Sequence, residues 1–243
     1  MMQARASKGA SVEATSGGWR LGIPEGDSRS YRIAQLDDYA HLPRREFPHH
    51  SLDLSLRART SAQSTPGTWG FGVWNDPFGL SLGFGGNPFR LPALPNAAWF
   101  FYASPQNYLS FHDEKPAQGF LAQTFHSPRF HPSLIGAGLA LPFSPRTTRT
   151  RLGTVIAEDG AALSVDVTQW HGYRLSWGPT RVVFEVDQTV VLETSVSPHP
   201  PLGVVIWIDN QFAAFTPEGK ISFGVLENPE AWLEIEDIVM RDA

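Results

Sequence analysis

The chain has 243 residues, a net charge of −5 and no cysteine, and 42% of its residues are hydrophobic. The absence of cysteine excludes disulfides and thiolate metal sites. The negative charge argues against nucleic acid as a partner, because phosphate binding normally needs a basic face. With 22 glycines and 20 prolines spread along the chain, long helices would be interrupted almost everywhere.

The N-terminal segment is small, polar and aperiodic, which predicts a disordered tail over residues 1–17 and a single domain over residues 18–243. No apolar segment of the kind found in a secretory signal occurs in residues 1–22. The longest apolar stretch, residues 134–143, is too short to span a bilayer. These features predict a cytoplasmic protein without a membrane partner, and they leave the oligomeric state open.

Alternation with a period of two dominates the chain after the tail. Residues 51–58 alternate polar and apolar side chains, as in a strand with one exposed face. Residues 181–196 predict two strands joined by a two-residue turn at Asp187-Gln188. The apolar run "VVIWID" at 204–209 predicts a central strand covered on both faces. Further strands are predicted within residues 173–177, 220–227 and 232–240.

The one plausible helix is "YRIAQLDDYAHL" at 31–42, and its β-branched and aromatic residues weaken that interpretation. Many short strands separated by Gly and Pro turns, with almost no helix, predict an all-β sandwich or barrel.

Three segments, in order, resemble the family-16 glycoside hydrolases. "GTWGFGVWN" (67–75) is similar to their G-x-W-P-A-x-W strand, and "WLEIEDIVM" (232–240) to their closing strand. The most specific segment, "WHGYRLSWGPTRVVFEVDQTVVLETSVSP" (170–198), is similar to their F-H-x-Y…V-D-G hairpin, with Gln188 in place of the glycine. The resemblance spans roughly residues 28–240. It implies a concanavalin A-like jelly roll of two antiparallel sheets, with a concave face that forms a glycan cleft.

In that family the strand after the G-x-W segment carries Glu-x-Asp-x-(x)-Glu, whose outer residues are the nucleophile and the general acid/base. The corresponding stretch here, "LPNAAWFFYASPQNY" at 94–108, contains neither Glu nor Asp. Retaining hydrolysis needs two carboxyl groups about 5–5.5 Å apart. The sequence therefore predicts no catalytic residues and no hydrolysis by the family mechanism.

Alternation places Trp99 and Phe101 on one face of this strand and Phe100 and Tyr102 on the other. One set should fill the core and the other should line the cleft, and the pattern does not say which.

Aromatic rings on a concave face could stack on a sugar or on a flat apolar molecule, although large aromatics are more often core. Asn and Asp at the ends of "GVWND" and "VIWIDN" could bind ligand hydroxyls or could make turns, and one histidine could serve as an acid or base. The candidate ligand-binding residues are Trp74, Asn75, Asp76, Phe84, Trp99, Phe100, Tyr102, Tyr108, His112, Trp207, Asp209 and Asn210.

No cofactor is predicted. The family resemblance implies that a structural calcium ion could bind beside Glu236, since carboxylate oxygens suit calcium. The alternative is that Glu236 belongs to an exposed acidic edge that discourages strand pairing.

The leading functional hypothesis is a non-catalytic jelly-roll protein that binds a carbohydrate or related ligand through an aromatic concave face. The alternative is an intracellular enzyme or carrier whose cleft takes an apolar small molecule. A third is a structural or interaction module without a small-molecule site.

Overall fold

The computed structural model describes residues 2–7, 9–77, 93–128 and 144–242. In this part of the chain, two antiparallel seven-stranded sheets pack face to face, and a hairpin forms a separate two-stranded sheet. The all-β sandwich of two antiparallel sheets is therefore confirmed.

The sheet that carries the candidate site is called the front sheet, and the other the back sheet. In spatial order, the front sheet consists of β1 (Gln3–Ala6), β4 (Ile33–Asp37), β13 (Gly203–Asp209), β6 (Thr68–Trp74), β7 (Ala97–Ala103), β8 (Gly119–His126) and β9 (Ala157–Ala162). The back sheet consists of β12 (Thr189–Thr194), β11 (Val182–Val186), β10 (His171–Trp177), β5 (Leu52–Thr60), β16 (Ala231–Arg241), β3 (Gly18–Ile23) and β2 (Ser11–Ala14). The separate hairpin is β14 (Gln211–Phe215) with β15 (Ile221–Val225), and the helices are a short 3-10 helix (Arg44–Glu46) and α1 (Pro145–Val155).

The main core lies between the two sheets. It is built by alternate residues of each strand, for example Leu52, Leu54 and Leu56 of β5, which are buried while their neighbours are not. The front sheet also carries apolar residues on its outer face, so β7 and β13 are buried along their whole length. This double burial explains why "VVIWID" has no polar alternation.

Two helix expectations were wrong. Residues 33–37, inside the predicted helix, form β4, because Ala34 and Leu36 enter the core while Gln35 between them faces the cavity on the other side of the sheet. The helix α1 was not predicted, since its sequence "PRTTRTRLGTV" contains threonines and a glycine and has no apolar stripe.

The predicted disordered tail is also corrected, because residues 3–6 and 11–14 form strands. β1 pairs with β4, and β2 pairs with β3, each at one edge of its sheet. The side chains of β1 are exposed, so backbone hydrogen bonds rather than an apolar pattern define this strand. A sequence pattern cannot reveal such a strand.

Among the described residues, no helix has the length and apolar character that crossing a membrane requires.

The predicted turn at Asp187-Gln188 is confirmed, with Val186 paired to Thr189 across it. Both turn residues have positive φ, 48° at Asp187 and 66° at Gln188. A left-handed backbone is unfavourable for a glutamine and unstrained for a glycine.

We therefore expect Gln188→Gly to raise the free energy of unfolding by roughly 0.5–1 kcal/mol, as measured by urea denaturation. The matched control is Gln188→Ala, which keeps a Cβ in the left-handed region and should give no gain. Equal stabilisation by both variants would contradict the conformational explanation.

Candidate functional site

The direction of the β7 side chains decides which rings are available to a ligand. Phe100 and Tyr102 belong to the core between the sheets, and Phe100 meets Phe184 of the back sheet edge-on, with 5.2 Å between ring centroids. Trp99 and Phe101 belong to a second apolar cluster on the outer face of the front sheet. Phe100 and Tyr102 are thus core residues, which corrects their prediction as ligand-binding residues.

Four aromatic rings form what we call the aromatic floor on that outer face: Trp74, Trp99, Phe101 and Trp207. Trp74 and Trp207 are parallel within 5°, with centroids 6.1 Å apart. Phe101 lies 5.6 Å from Trp207 and 5.3 Å from Trp99. Glycine at position 70 makes room for this arrangement, since a Cβ there would lie 2.9 Å from the Trp207 ring.

Each floor tryptophan donates its indole N–H to an oxygen of the protein. Trp207 donates to the Thr68 hydroxyl at 3.0 Å, and that hydroxyl donates to Asp209 at 2.8 Å. Trp74 donates to the Tyr39 hydroxyl at 2.6 Å. Because the polar edges are satisfied within the protein, the floor offers mainly ring surface to a ligand.

Trp99 is connected to a carboxylate, Glu158, through the side chain of Gln123. Its indole N–H is 3.4 Å from the Gln123 amide oxygen, and the Gln123 amide nitrogen donates to Glu158 at 3.1 Å. Glu158 also accepts the backbone N–H of Phe111 at 2.8 Å. Burial raises the pKa of Glu158 above its ordinary value.

The floor forms the base of a cavity of about 530 Å³. The hairpin β14–β15 and the loop of residues 105–118 border it, and the backbones of Tyr108 and Ala214 form a parallel bridge that joins the two. Phe212 and Phe223 of the hairpin line the cavity, and Phe223 is 48% exposed. We call the hairpin and this loop the cleft wall.

A buried arginine of α1 holds the cleft wall together. Arg149 is 5% exposed and donates to the carbonyl oxygens of Phe215 at 3.0 Å and Ser110 at 3.1 Å. It also pairs with Asp113 at 2.7 Å. One guanidinium group therefore fixes both parts of the wall relative to the helix.

One end of the cavity is polar and centred on Asp209. Its carboxylate is 6% exposed and accepts the Thr68 hydroxyl at 2.8 Å and the Tyr31 hydroxyl at 3.1 Å. Burial raises the pKa of Asp209 to about 6, and the hydrogen bonds from Thr68, the Gln211 backbone and Tyr31 oppose that rise.

The second carboxylate that lines the cavity, Asp76, is at the other end of the floor. Asp209 is paired with Thr68 at the start of β6, whereas Asp76 follows the last residue of that strand. Trp74 is six residue steps along the strand from Thr68, which corresponds to about 20 Å. The two carboxylates are therefore too far apart to flank one glycosidic bond.

The remaining candidates have different positions. Tyr108 lines the cavity from the cleft wall. Asn75 and Asn210 bind backbone instead: Asn75 donates to the Leu94 carbonyl at 2.9 Å, and Asn210 accepts the Arg32 N–H at 2.8 Å. Phe84 lies outside the described residues.

His112 is on the cleft wall loop, but it does not line the cavity. Its Nε2 is 3.2 Å from the Ile156 carbonyl oxygen, and its Nδ1 is 3.8 Å from Glu114. These contacts are to neighbouring protein groups, as expected of a residue that positions the loop.

The calcium ion expected beside Glu236 stays a prediction. Glu236 forms an ion pair with Arg57 at 3.4 Å. Within the ranges that the structure describes, no group of three or more His, Cys, Asp or Glu side chains is arranged to hold a metal ion.

The polar residues that line the cavity and were not predicted from the sequence include Arg5, Tyr31 and Gln35. Arg5 lies in the segment predicted to be disordered, directly opposite Gln35 in the β1–β4 register. Tyr31 and Gln35 lie in the segment predicted to be helical. Interpreting residues 33–37 as a strand would have placed Gln35 on the outer face of the front sheet.

No family model matches the chain, and no curated protein matches it in sequence. Solved structures do match. An endo-β-1,4-glucuronan lyase from the fungus Trichoderma reesei has a TM-score of 0.50 at 11% identity, over 99% of this chain and 88% of the lyase. A family-16 endo-glucanase from Bacteroides ovatus has a TM-score of 0.50 at 8% identity, over 98% and 94%. The Crh5 transglycosylase has a TM-score of 0.50 at 11% identity, over 99% and 79%.

The chain has a concanavalin A-like jelly-roll fold. The resemblance seen in the sequence is thereby confirmed at the level of the fold. At these identities the similarity concerns the fold alone, and the ligand has to be inferred from this chain's own cleft.

The first test concerns the connection from Trp207 to Asp209. We expect Thr68→Val to lower the free energy of unfolding by about 1–3 kcal/mol, because the buried indole N–H loses its acceptor while the side-chain volume is kept. Urea denaturation followed by tryptophan fluorescence measures this. The control is Thr189→Val at an exposed position of β12. Equal effects at both sites would show that the connection does not stabilise the fold.

The second test concerns the charge of Asp209. Its pKa is raised from 3.8 to about 6 by folding, so protonation favours the folded state. This stabilisation is complete below pH 3.8 and is lost as the pH rises through about 6. Asp209→Asn removes it. The free energy of unfolding of the wild type minus that of the variant should therefore fall by up to about 3 kcal/mol between pH 4 and 7.

The control for this pH profile is Asp53→Asn. The Arg174 guanidinium lowers the pKa of Asp53. The free energy of unfolding of the wild type minus that of Asp53→Asn should therefore rise slightly with pH. A flat profile for Asp209→Asn would contradict a buried carboxyl that favours its protonated form.

Proposed function

We propose that the protein is a non-catalytic binding protein whose cleft takes a small molecule with a mostly apolar surface. The observation that carries this proposal is the aromatic floor, whose three indole N–H groups are directed to protein oxygens. A ligand on this floor meets ring faces, which favour flat apolar groups.

The cleft wall supports the same ligand class. It adds Phe212 and Phe223 from the hairpin, and Leu109 and Phe111 from the loop. Among the polar side chains of the lining, Asp209 with Thr68 and Tyr31 lies at one end of the floor and Asp76 at the other. Ligand pockets commonly combine such an apolar lining with a few polar groups that fix orientation.

The absence of glycosidase chemistry is supported by the positions of the carboxylates. The residues of β7 that share the outer face with Trp99 are Ala97, Phe101 and Ala103. None of these side chains can act as a general acid or base or as a nucleophile. The separation of about 20 Å between the Asp209 and Asp76 ends of the floor exceeds the 6.5–9.5 Å between carboxyl groups that inverting hydrolysis requires. Neither two-carboxylate mechanism fits this cleft.

Carbohydrate binding is the second candidate. It is favoured by the floor's position on the front sheet and by the fold shared with proteins named as a lyase, an endo-glucanase and a transglycosylase. Sugar C–H faces stack on aromatic rings, so the floor could serve this ligand class as well. A sugar would need hydrogen-bonding groups along the floor, where the cleft offers few.

The two candidates are separated by measuring both ligand classes on the same variants. Purified protein would be analysed by native mass spectrometry for a co-purified ligand and on an array of neutral and acidic glycans. Trp207→Ala should lower the affinity for the true ligand at least about tenfold, because it removes the central ring of the floor. The control is Trp170→Ala, which removes a tryptophan that stacks with Arg59 on the back sheet.

Retention of an apolar molecule that is lost in Trp207→Ala and kept in Trp170→Ala supports the first candidate. Glycan binding with the same dependence supports the second and rejects the first. Release of reducing ends from glucan or glucuronan by the wild type, absent in Trp207→Ala, would refute the non-catalytic assignment.

A further inference from the structure

A chain of polar groups connects the aromatic floor to the edge strand β9. Gln123 is fully buried, and its amide oxygen lies 3.4 Å from the indole nitrogen of Trp99. Its amide nitrogen donates to Oε1 of Glu158 at 3.1 Å, and Oε2 of the same carboxylate accepts the backbone N–H of Phe111 at 2.8 Å. Trp99 and Phe111 both line the cavity. Glu158 therefore positions one ring of the floor and one residue of the cleft wall.

The charge of Glu158 decides which way the Gln123 amide points. An ionised carboxylate has no donor, so Gln123 must direct its amide nitrogen to Glu158, which leaves its amide oxygen for Trp99. The Trp99 contact of 3.4 Å is longer than those of Trp207 at 3.0 Å and Trp74 at 2.6 Å. It is therefore the weakest of the three indole hydrogen bonds in the floor and the easiest to lose.

A proton on Glu158 reverses this order. Because Oε2 faces the Phe111 N–H, the proton binds at Oε1, where it meets the amide N–H of Gln123. Rotation of the amide by about 180° lets its oxygen accept this proton instead. The amide nitrogen then faces the indole N–H of Trp99, so two donors meet. The buried indole is left without its acceptor, which is unfavourable.

The surroundings of Glu158 favour uptake of that proton. Glu158 is 7% exposed. Burial raises the pKa of Glu158 above its ordinary value of 4.5, and the hydrogen bonds from Phe111 and Gln123 and the charge of His112 oppose that rise. A proton can therefore bind at a pH above 4.5, where carboxylates in water remain ionised.

The other charged and titratable groups near Glu158 belong to the cleft wall loop, α1 and β9. They are His112 with Glu114 at 3.8 Å, Asp113 with Arg149 at 2.7 Å, Lys115 with Asp159 at 2.8 Å, and Tyr108. The two permanent cations among them, Arg149 and Lys115, are each paired with another carboxylate. Hydrogen bonds therefore contribute most of the stabilisation of ionised Glu158.

We infer that a proton on Glu158 regulates the cleft: the ionised form anchors Trp99 for ligand binding, and the protonated form releases it. The inference rests on the function proposed above and adds its regulation. The affinity for a ligand should fall as the pH falls through the pKa of Glu158 in the folded protein. By linkage, a bound ligand should in turn make Glu158 harder to protonate.

The indole N–H resonances of protein labelled with 15N-tryptophan test this without a ligand. Trp99 is assigned by the resonance that is missing in Trp99→Phe. Between about pH 8 and pH 4, we expect it to move in a one-proton transition with a midpoint above 4.5. Glu158→Gln should abolish the transition, because its amide N–H takes the place of the carboxyl proton and keeps Gln123 rotated at every pH.

Four further variants separate Glu158 from other groups. Asp159→Asn removes the neighbouring carboxylate of β9, His112→Gln removes the imidazole of the loop, and Asp209→Asn removes the carboxyl at one end of the floor. The Trp99 transition should persist in all three. Gln123→Met should abolish it, since it removes the amide between Glu158 and Trp99, and this variant replaces Glu158→Gln if the latter folds poorly.

The neutral probe N-phenyl-1-naphthylamine tests the effect on binding, because its charge does not change in this pH range. The comparison is made in Asp209→Asn, so that Asp209 does not contribute. We expect the Kd of the probe to be at least about threefold higher at pH 4.5 than at pH 8, and adding Glu158→Gln should remove the difference. By the same linkage, bound probe should lower the midpoint of the Trp99 transition by about 0.5.

A Trp99 resonance that does not titrate in the wild type, or a transition that persists in Glu158→Gln, would overturn the regulation and leave the proposed function standing. Equal affinity for the probe at both pH values would do the same. No binding of the probe, or binding that Trp207→Ala does not weaken, would overturn the proposed function and the regulation of ligand binding with it.

Discussion

The cleft depends on how three indole N–H groups are satisfied. A buried tryptophan needs an acceptor for its one donor, and where that acceptor lies decides which part of the ring is left for contact. In Trp74, Trp99 and Trp207 the acceptors are Tyr39, Gln123 and Thr68, all within the protein. The ring edges are therefore fixed. Hydrogen bonds within the protein thus position the aromatic floor, which would lower the entropic cost of the proposed binding.

A second constraint follows from the front sheet. Both of its faces are apolar, so it cannot remain open to water on the outer side without exposing a large hydrophobic area. The cleft wall and α1 cover part of that face, and the cavity occupies the part between them. Packing and the proposed ligand binding would thus use the same set of side chains, and Trp99 and Trp207 are accordingly only 6% and 7% exposed.

Much of the fold could be predicted from the sequence, because strands such as Leu52–Thr60 have one apolar face, which is visible in the sequence as alternating polar and apolar residues. Strands buried on both faces lose that information. In β7 both faces carry two aromatic residues, so only the three-dimensional arrangement distinguishes the position of Trp99 from that of Phe100. The pattern that identified the strand could not orient it.

The polar part of the site was harder still. Asp209 and Asn210 are adjacent in sequence and chemically similar, yet one lines the cavity and the other binds backbone. Arg5 reaches the cleft through an edge strand defined only by backbone pairing. Such contributions depend on distant partners, and a local sequence window does not contain them. Helix α1 could not be predicted from an apolar stripe, because the residue that anchors it is the buried Arg149.

The hairpin β14–β15 has a consequence for how this protein can diversify. It forms a two-stranded sheet of its own, so substitutions in it do not disturb the register of either large sheet. It nevertheless supplies Phe212 and Phe223 to the cavity. Descendants of this chain could therefore change the lining of the cavity by altering a few hairpin residues while the sandwich stays constant. The scaffold separates the part that must be preserved from the part that is free to evolve.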